Sequence, residues 1–173
     1  MAENIECHTF VDYLYRTVIP GWIVPQRVYR TDIAGFQPRP PVQFHVYGQF
    51  GIRLTDALAQ NFAGLTDSSR QVVLTETGMK IAVRIWWPGY ERWLKHTHAY
   101  GHSSERPPIT LSQLAYRVSR LVQEFQEEMR GKASTERSPD WWISNVPFHQ
   151  LVLLELRHVS TGSWQPVLCR AVN

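Results

Sequence analysis

Three histidines within the segment KHTHAYGHSSERPP are the first residues in this chain whose types and spacing suggest chemistry. His96 and His98 would share one face of an extended chain, and imidazole nitrogens are common zinc ligands. A turn could bring His102 back towards that pair, and Glu91 or Glu105 could supply a carboxylate. The spacing His-x-His-x-x-x-His has low specificity, however. We therefore expect a polar loop here, and predict that the protein has no metal site and no cofactor.

Aromatic and basic residues are interleaved in the stretch RIWWPGYERWLKHTH, which runs into these histidines. If Ile85 and Trp87 point into a core, the alternation of a strand turns Arg84 and Trp86 outward. An exposed Trp beside an Arg is typical of binding hot spots, and it also suits base stacking in single-stranded nucleic acid. The same rings could instead cover the sheet. The predicted binding residues are Arg84, Trp86, Tyr90, Arg92, Trp93, His96 and His98.

Motifs typical of enzymes are lacking in the sequence. It contains no Gly-x-Ser-x-Gly elbow, no phosphate-binding glycine loop and no His-Glu-x-x-His pair. Ser160, Ser163, His149, His158 and Asp140 can be combined into a triad on paper, as in most proteins of this length. We predict no catalytic residues, and a small metal-dependent enzyme built on the histidine segment is the third functional hypothesis.

The composition is that of one folded domain with an unusual choice of cation. The chain has 173 residues, 43% hydrophobic and 19% charged, with seven Trp, seven Tyr and seven Phe. Fifteen of the 18 basic residues are arginines, and the net charge is +3. Arg is enriched in interface cores where Lys is depleted, which favours recognition of a partner. No run of five basic residues requires that partner to be a nucleic acid.

The cysteines and the N-terminal residues predict a compartment. Cys7 and Cys169 lie near opposite ends, and two cysteines do not make a disulfide framework. The start MAENIECHTF has neither the basic nor the apolar region of a signal peptide, and no apolar stretch approaches about 18 residues. We therefore expect an intracellular protein, cytoplasmic or nuclear, without a membrane partner.

The first half of the chain predicts several short elements. Residues 1–41 are expected to hold a short helix, CHTFVDYLYRTVIPGW, and a proline-rich connector, and residues 42–173 to form the core of a single domain. Within that core VQFHVYGQF alternates like a half-buried strand, and IRLTDALAQNFAGL has the period of a helix ending at Gly64. Two strand-like runs on either side of Thr77 and Gly78 predict a hairpin, followed by a long connection over Pro88–Ile109.

The clearest elements lie in the second half of the chain. Apolar residues at helical spacing predict a helix over Thr110–Arg130, with Thr110 and Gln113 forming a capping box. Alternation from Val152, a turn at Ser160–Ser163 and a return from Trp164 to Cys169 predict a hairpin, in which Pro166 indicates an edge strand. A helix over Phe148–Leu156 is the competing interpretation. Together the elements predict an α+β domain: an antiparallel-rich or mixed sheet with one long and one or two shorter helices packed on it.

Three segments of the C-terminal half carry a resemblance. They are Trp87-Pro88-Gly89-Tyr90, Ile109-Thr110 before the long helix, and the run VSTGSWQP from Val159 to Pro166. This pattern resembles a family of uncharacterised fungal proteins of unknown function. The resemblance implies an intracellular fungal domain and brings no activity and no catalytic residues.

These observations rank the functional hypotheses. The first is a non-enzymatic interaction or assembly module that binds a protein partner, or a second copy of itself, through the aromatic and arginine surface. The alternative is a nucleic-acid-binding domain that uses the same Arg and Trp side chains. Salt separates the two, because contacts with phosphates weaken steeply as ionic strength rises.

Overall fold

A long C-terminal hairpin forms the centre of the fold in the computed structural model, which describes residues 21–29, 34–75, 78–101 and 104–172. Strand β8, Leu151–Ser160, and strand β9, Ser163–Ala171, pair antiparallel across a turn in which Gly162 has φ +68°. This hairpin confirms the two predicted strands and the turn between them, but a β-bulge between Leu153 and Glu155 breaks the predicted alternation, so that Leu156 faces the main core and Leu154 does not. The competing helix is wrong, because a short 3-10 turn, Phe148–Gln150, gives way to strand at once.

Shorter strands extend this hairpin into a mixed sheet of seven strands. The bounds of the shorter strands are β1 Gly21–Ile23, β2 Val42–Gln43, β3 His45–Val46, β4 Gln49–Phe50, β5 Ile52–Arg53, β6 Lys80–Ile85 and β7 Trp93–His98. In the sheet, β2 and β5 pair with β8, β1 and β6 pair with β9, and β7 pairs with β6; the β6–β9 pair is parallel and the other pairs are antiparallel. A separate two-stranded ribbon joins β3 to β4.

Two α-helices accompany the strands in the described part of the chain. Helix α1, Leu54–Leu58, is shorter than predicted, and helix α2, Leu111–Met129, matches its prediction closely. At the start of α2, the Gln113 N–H donates to Thr110 Oγ1 at 3.2 Å, and the Thr110 N–H donates to Gln113 Oε1 at 3.0 Å. This reciprocal pair is the predicted capping box. The architecture is therefore the predicted α+β domain.

The main core lies between α2 and one face of the sheet. The apolar stripe of α2 is buried there against alternate residues of β6, β8 and β9. Phe125 is fully buried, with its ring centroid 5.9 Å from that of Trp87 and 5.7 Å from that of Trp93. Rings of this size bury enough surface to dominate the stability of a small domain.

A smaller apolar cluster lies on the other face of the sheet. Its buried members are Phe50, Val152, Leu154, Cys169 and Ala171. Burial raises the pKa of the Cys169 thiol to about 11, so this cysteine is an inert apolar side chain at neutral pH. Cys7 lies outside the described residues, as does the predicted N-terminal helix.

The predicted hairpin around Thr77 and Gly78 is wrong. Strand β6 pairs with the downstream strand β7, whereas residues 72–75 before it form no strand. The predicted long connection over Pro88–Ile109 is wrong for the same reason, because it contains β7. His96 and His98 therefore belong to a strand and not to a loop.

The inference that Pro166 marks an edge strand is also wrong, because β9 has neighbours on both sides. Strand β1 ends opposite Cys169, and β6 pairs with β9 at Ser163 and Trp164, so Pro166 falls between its two neighbours. Its carbonyl accepts a hydrogen bond from the Gln26 side chain at 2.7 Å. A proline is tolerated at this point because no ladder partner needs its missing N–H.

None of the helices in the described ranges combines the length and the apolar character that crossing a membrane requires.

Candidate functional site

Five side chains on the sheet face opposite α2 form a stack in which arginines alternate with aromatic rings. The Arg84 Cζ lies 4.0 Å from the centroid of the Tyr29 ring, and the Arg92 Cζ lies 5.7 Å from that centroid. The Arg92 Cζ is also 4.2 Å from the Trp86 ring, which the Arg27 Cζ approaches at 5.4 Å. These distances lie within the usual range of cation–π contacts. We call this group the arginine–aromatic stack: Arg27, Tyr29, Arg84, Trp86 and Arg92.

Strand alternation supplies one half of the stack. Ile81, Val83 and Ile85 are buried in the main core, so the intervening Arg84 projects from the opposite face of β6. Trp86 follows in the same alternation, as predicted, and is half-buried. The Arg84 Nε donates to Ser163 Oγ at 3.0 Å, which fixes the guanidinium against the neighbouring strand.

The segment after β1 supplies the other half, and a buried glutamine holds it in place. Gln165 accepts from the Tyr29 N–H at 3.1 Å and donates to the Arg27 carbonyl at 2.9 Å. Gln26 accepts from the Trp86 N–H at 3.2 Å, and the Arg27 N–H donates to the Trp86 carbonyl at 3.2 Å. The backbone of Tyr29 is thus bound to the side chain of Gln165 in β9, and the backbone of Trp86 is bound to Gln26 and Arg27. The stack is a preorganised surface.

The charge of this stack is uncompensated within the described part of the chain. No carboxylate there lies within 4.0 Å of the guanidinium groups of Arg27, Arg84 or Arg92. Arg27 and Arg92 are exposed, whereas Arg84 is half-buried. The guanidinium is always charged and can bind a carboxylate or phosphate through two N–H groups at once. The surface therefore presents fixed donors for an anion.

The structure brings together three of the seven predicted binding residues in this stack: Arg84, Trp86 and Arg92. His96 and His98 lie on the same sheet face along β7, and their side chains are exposed. Tyr90 is not part of this surface, because it packs against the main core and its hydroxyl accepts from the Ile143 N–H at 3.1 Å.

Trp93 is also outside this surface, because it faces α2. It is 6% exposed, and its indole N–H donates to Glu128 Oε2 at 2.8 Å. On the same side of β7, Lys95 Nζ lies 2.7 Å from Glu128 Oε1 and 3.3 Å from Glu124 Oε2. Hydrogen bonds to these carboxylates raise the pKa of Lys95, and those from Lys95 and Trp93 lower the pKa of Glu128. The cation on the α2 side is thus paired within the protein.

Arg27, Tyr29 and Gln165 were not among the binding residues predicted from the sequence. Arg27 and Tyr29 lie in a segment that the sequence predicted only as a proline-rich connector. Their partner Gln165 is 136 positions away from Tyr29, and no local pattern encodes such a pair. The available signal was the arginine-rich composition, which indicated stacked or bidentate contacts without placing them.

No group of three His, Cys, Asp or Glu side chains in the described ranges is placed to hold a metal ion. His96 and His98 share a face as predicted, and His102 lies outside those ranges. His158 was one of the residues that could be combined into a catalytic triad from the sequence alone, and in the structure it makes packing and backbone contacts. Its Nδ1 accepts from the Arg39 N–H at 3.1 Å, and its ring lies 4.7 Å from the Trp164 ring.

Comparison of the chain with protein-family models, with curated proteins and with solved structures found no match.

Proposed function

We propose that this chain is a protein-interaction module whose binding surface is the arginine–aromatic stack, and that its partner is a protein with an acidic segment. The observation that carries the proposal is the set of three guanidinium groups that lie within cation–π distance of two rings and have no carboxylate partner among the described residues. Charge left unpaired on a fixed scaffold favours a partner that supplies the opposite charge.

The stack has the physical character of a hot spot. Trp, Tyr and Arg are the residues most enriched where alanine substitution costs an interface most of its affinity. Because the rings hold the guanidinium groups in place, little side-chain freedom remains to be lost when a carboxylate binds. The network around Gln165 extends this order to the backbone of the connector.

A protein partner is favoured over a nucleic acid because guanidinium groups lie near both rings. Two arginine Cζ atoms lie within 5.4 Å of the Trp86 ring, and two lie within 5.7 Å of the Tyr29 ring. Bases stack on aromatic rings, so single-stranded nucleic acid would compete with these arginines for them. A carboxylate can bind the exposed edges of the guanidinium groups without disturbing the stack.

The test compares two doubly substituted proteins that lose the same charge at different places. Arg84→Gln with Arg92→Gln alters the stack, and Arg120→Gln with Arg130→Gln removes two exposed arginines at helix α2. Fluorescence anisotropy with a labelled polyglutamate peptide measures the affinity. We expect the stack variant to bind about tenfold or more weakly, and the control variant to bind within about twofold of the unmodified protein. Equal losses in both variants would reduce the effect to net charge and refute the proposal.

Nucleic acid is the second candidate, supported by the same unpaired arginines. Three guanidinium contacts with single-stranded phosphates predict a slope of about −2 in a plot of log affinity against log salt. A labelled mixed oligonucleotide titrated at several salt concentrations measures that slope. Oligonucleotide binding tighter than polyglutamate binding, with this slope and with loss in the stack variant, would replace the first proposal.

A further inference from the structure

Strand β7 forms an edge of the sheet, and among the described strands it pairs with β6 alone. The Ala99 N–H donates to the Met79 carbonyl at 2.9 Å, which continues the β6–β7 register by one step. In an antiparallel pair, hydrogen-bonded positions alternate with positions whose backbone groups point away from the partner. Leu94, His96 and His98 are therefore the residues of β7 whose N–H and C=O groups face outward.

Arg117 independently supports this assignment. Its guanidinium donates to the carbonyl of His98, so that carbonyl points away from β6. The same contact occupies the end of the edge and leaves Leu94 and His96 as the positions at which another strand can pair. Each supplies one outward N–H and one outward C=O.

The two sides of this edge differ in charge. On the stack side, Leu94 is 37% exposed and His96 is exposed, and Arg92 lies two residues earlier on the same face. On the α2 side, Lys95 is already paired with Glu124 and Glu128. Strands in a sheet lie about 4.8 Å apart, so side chains of an added strand come within reach of these groups. Negative charge is favoured on the stack side and disfavoured on the α2 side.

We infer that an extended segment of the partner adds to β7 as a new edge strand, with acidic side chains at alternate positions facing the arginine–aromatic stack. This inference rests on the proposed function and specifies the form in which the acidic partner binds. Backbone hydrogen bonds to Leu94 and His96 supply affinity, and the alternating carboxylates supply specificity through Arg92 and its neighbours.

A second copy of the chain suits this edge poorly at neutral pH. Strand β7, Trp93–His98, contains no carboxylate. A second copy pairing through β7 therefore brings no negative charge from that strand to the arginine–aromatic stack. Charge complementarity thus favours an acidic strand over self-pairing.

One arm of the test removes the outward N–H of His96. His96→Pro deletes it at an edge position, where proline is tolerated, and His96→Ala deletes the side chain but keeps the N–H. The probe is an end-blocked peptide of about eight residues in which Glu alternates with Thr. By calorimetry we expect His96→Pro to bind about fivefold or more weakly than His96→Ala, because both variants lack the imidazole and His96→Pro alone also lacks the N–H. Equal affinities of the two folded variants would overturn strand addition.

A second arm leaves the protein unchanged and remains decisive if His96→Pro does not fold. Two versions of the peptide carry N-methyl groups, one on every Glu nitrogen and the other on every Thr nitrogen. Nitrogens of one set face β7 and those of the other face solvent, so one methylated peptide loses binding and the other keeps it. The methylated set that abolishes binding shows whether the added strand runs parallel or antiparallel to β7. Equal effects of both methylations would contradict the inference.

The two proposals fail in different ways. Loss of binding in Arg84→Gln with Arg92→Gln, but indifference to His96→Pro and to both methylations, would retain the acidic partner and refute strand addition. Indifference to all of these changes would refute both. Light scattering that shows a dimer dissociated by His96→Pro would make the occupant a second copy of the chain and overturn the acidic strand.

Discussion

The two faces of the sheet use aromatic residues in opposite ways. On the α2 face, Trp87 and Phe125 are fully buried in an apolar core. On the other face, Tyr29 and Trp86 are half-buried, and arginines contact their rings. Even the buried positions of that face include charge, since Glu155 is 1% exposed and is paired with Arg157.

This difference separates stability from recognition. Burial of apolar surface stabilises the fold in proportion to the area removed from water, so the α2 face supplies most of the free energy of unfolding. A cation–π contact at a half-exposed site contributes far less, but it fixes the direction in which a charge points. We therefore expect substitutions on the α2 face to change stability and those on the stack face to change binding.

The largest expected effect comes from the centre of the α2 face. Phe125→Ala removes a fully buried ring between Trp87 and Trp93 and leaves a cavity. We expect the free energy of unfolding to fall by about 3–5 kcal/mol in urea denaturation. Leu94→Ala on the other face is the control, with a loss below about 1 kcal/mol. Similar losses in the two variants would erase the distinction between the faces.

A smaller effect is expected where α2 begins. Thr110→Ala removes the side chain that accepts from the Gln113 N–H and breaks the capping box. The expected loss is about 1 kcal/mol by the same denaturation measurement. Thr110→Ser keeps a hydroxyl in place and is predicted to restore most of the stability; no difference between Ala and Ser would show that the cap contributes nothing.

A still smaller stability effect is expected from the stack itself. Arg92→Ala removes the cation from the Trp86 and Tyr29 rings and should cost about 0.5–1 kcal/mol. Arg120→Ala, at an exposed i,i+4 pair with Glu124, should cost about 0.5 kcal/mol or less. A loss of several kcal/mol in Arg92→Ala would make the stack a part of the stabilising core, contrary to its proposed role.

The smallest effect is confined to acidic pH. Burial and the nearby charge of Arg39 lower the pKa of His158 below its ordinary value, so the folded state binds this proton more weakly than the unfolded state. Stability is then complete above about pH 6.5 and falls as the pH drops towards the lowered pKa. Thermal melts between neutral and acidic pH, compared with those of His158→Gln, measure this contribution. An equal pH dependence in the two proteins would exclude His158 as its source.

The sequence predicted those elements whose patterns are local. Helix α2 has a continuous apolar stripe and its own cap, and β8 and β9 alternate on either side of a short turn, so neighbouring residues identify them. Strand β7 was missed because Lys95 and Thr97 occupy positions that face α2, where the helix supplies Glu124 and Glu128 as partners. No apolar alternation remains when two of the three inward positions are polar.

Only part of the candidate site could be predicted from the sequence, for a related reason. Arg84 and Trp86 could be placed on the outer face once Ile85 and Trp87 were assigned to the core. The sequence could not show that Tyr90 and Trp93 pack against the main core, because the directions of their side chains depend on how the chain turns after Pro88. The contribution of Arg27 and Tyr29 depends on pairing with Gln165 across most of the chain, which emerges only from the folded topology.

The most direct test of the proposed binding face is an NMR titration of the 15N-labelled protein with the alternating Glu and Thr peptide. We expect the amide shifts to be concentrated in the stack and in β7, with those of Arg92, Leu94 and His96 among the largest. Amides on the exposed side of α2, such as Arg120, should stay unchanged. Shifts centred on α2, or spread evenly over all basic residues, would contradict the assignment of this face as the binding surface.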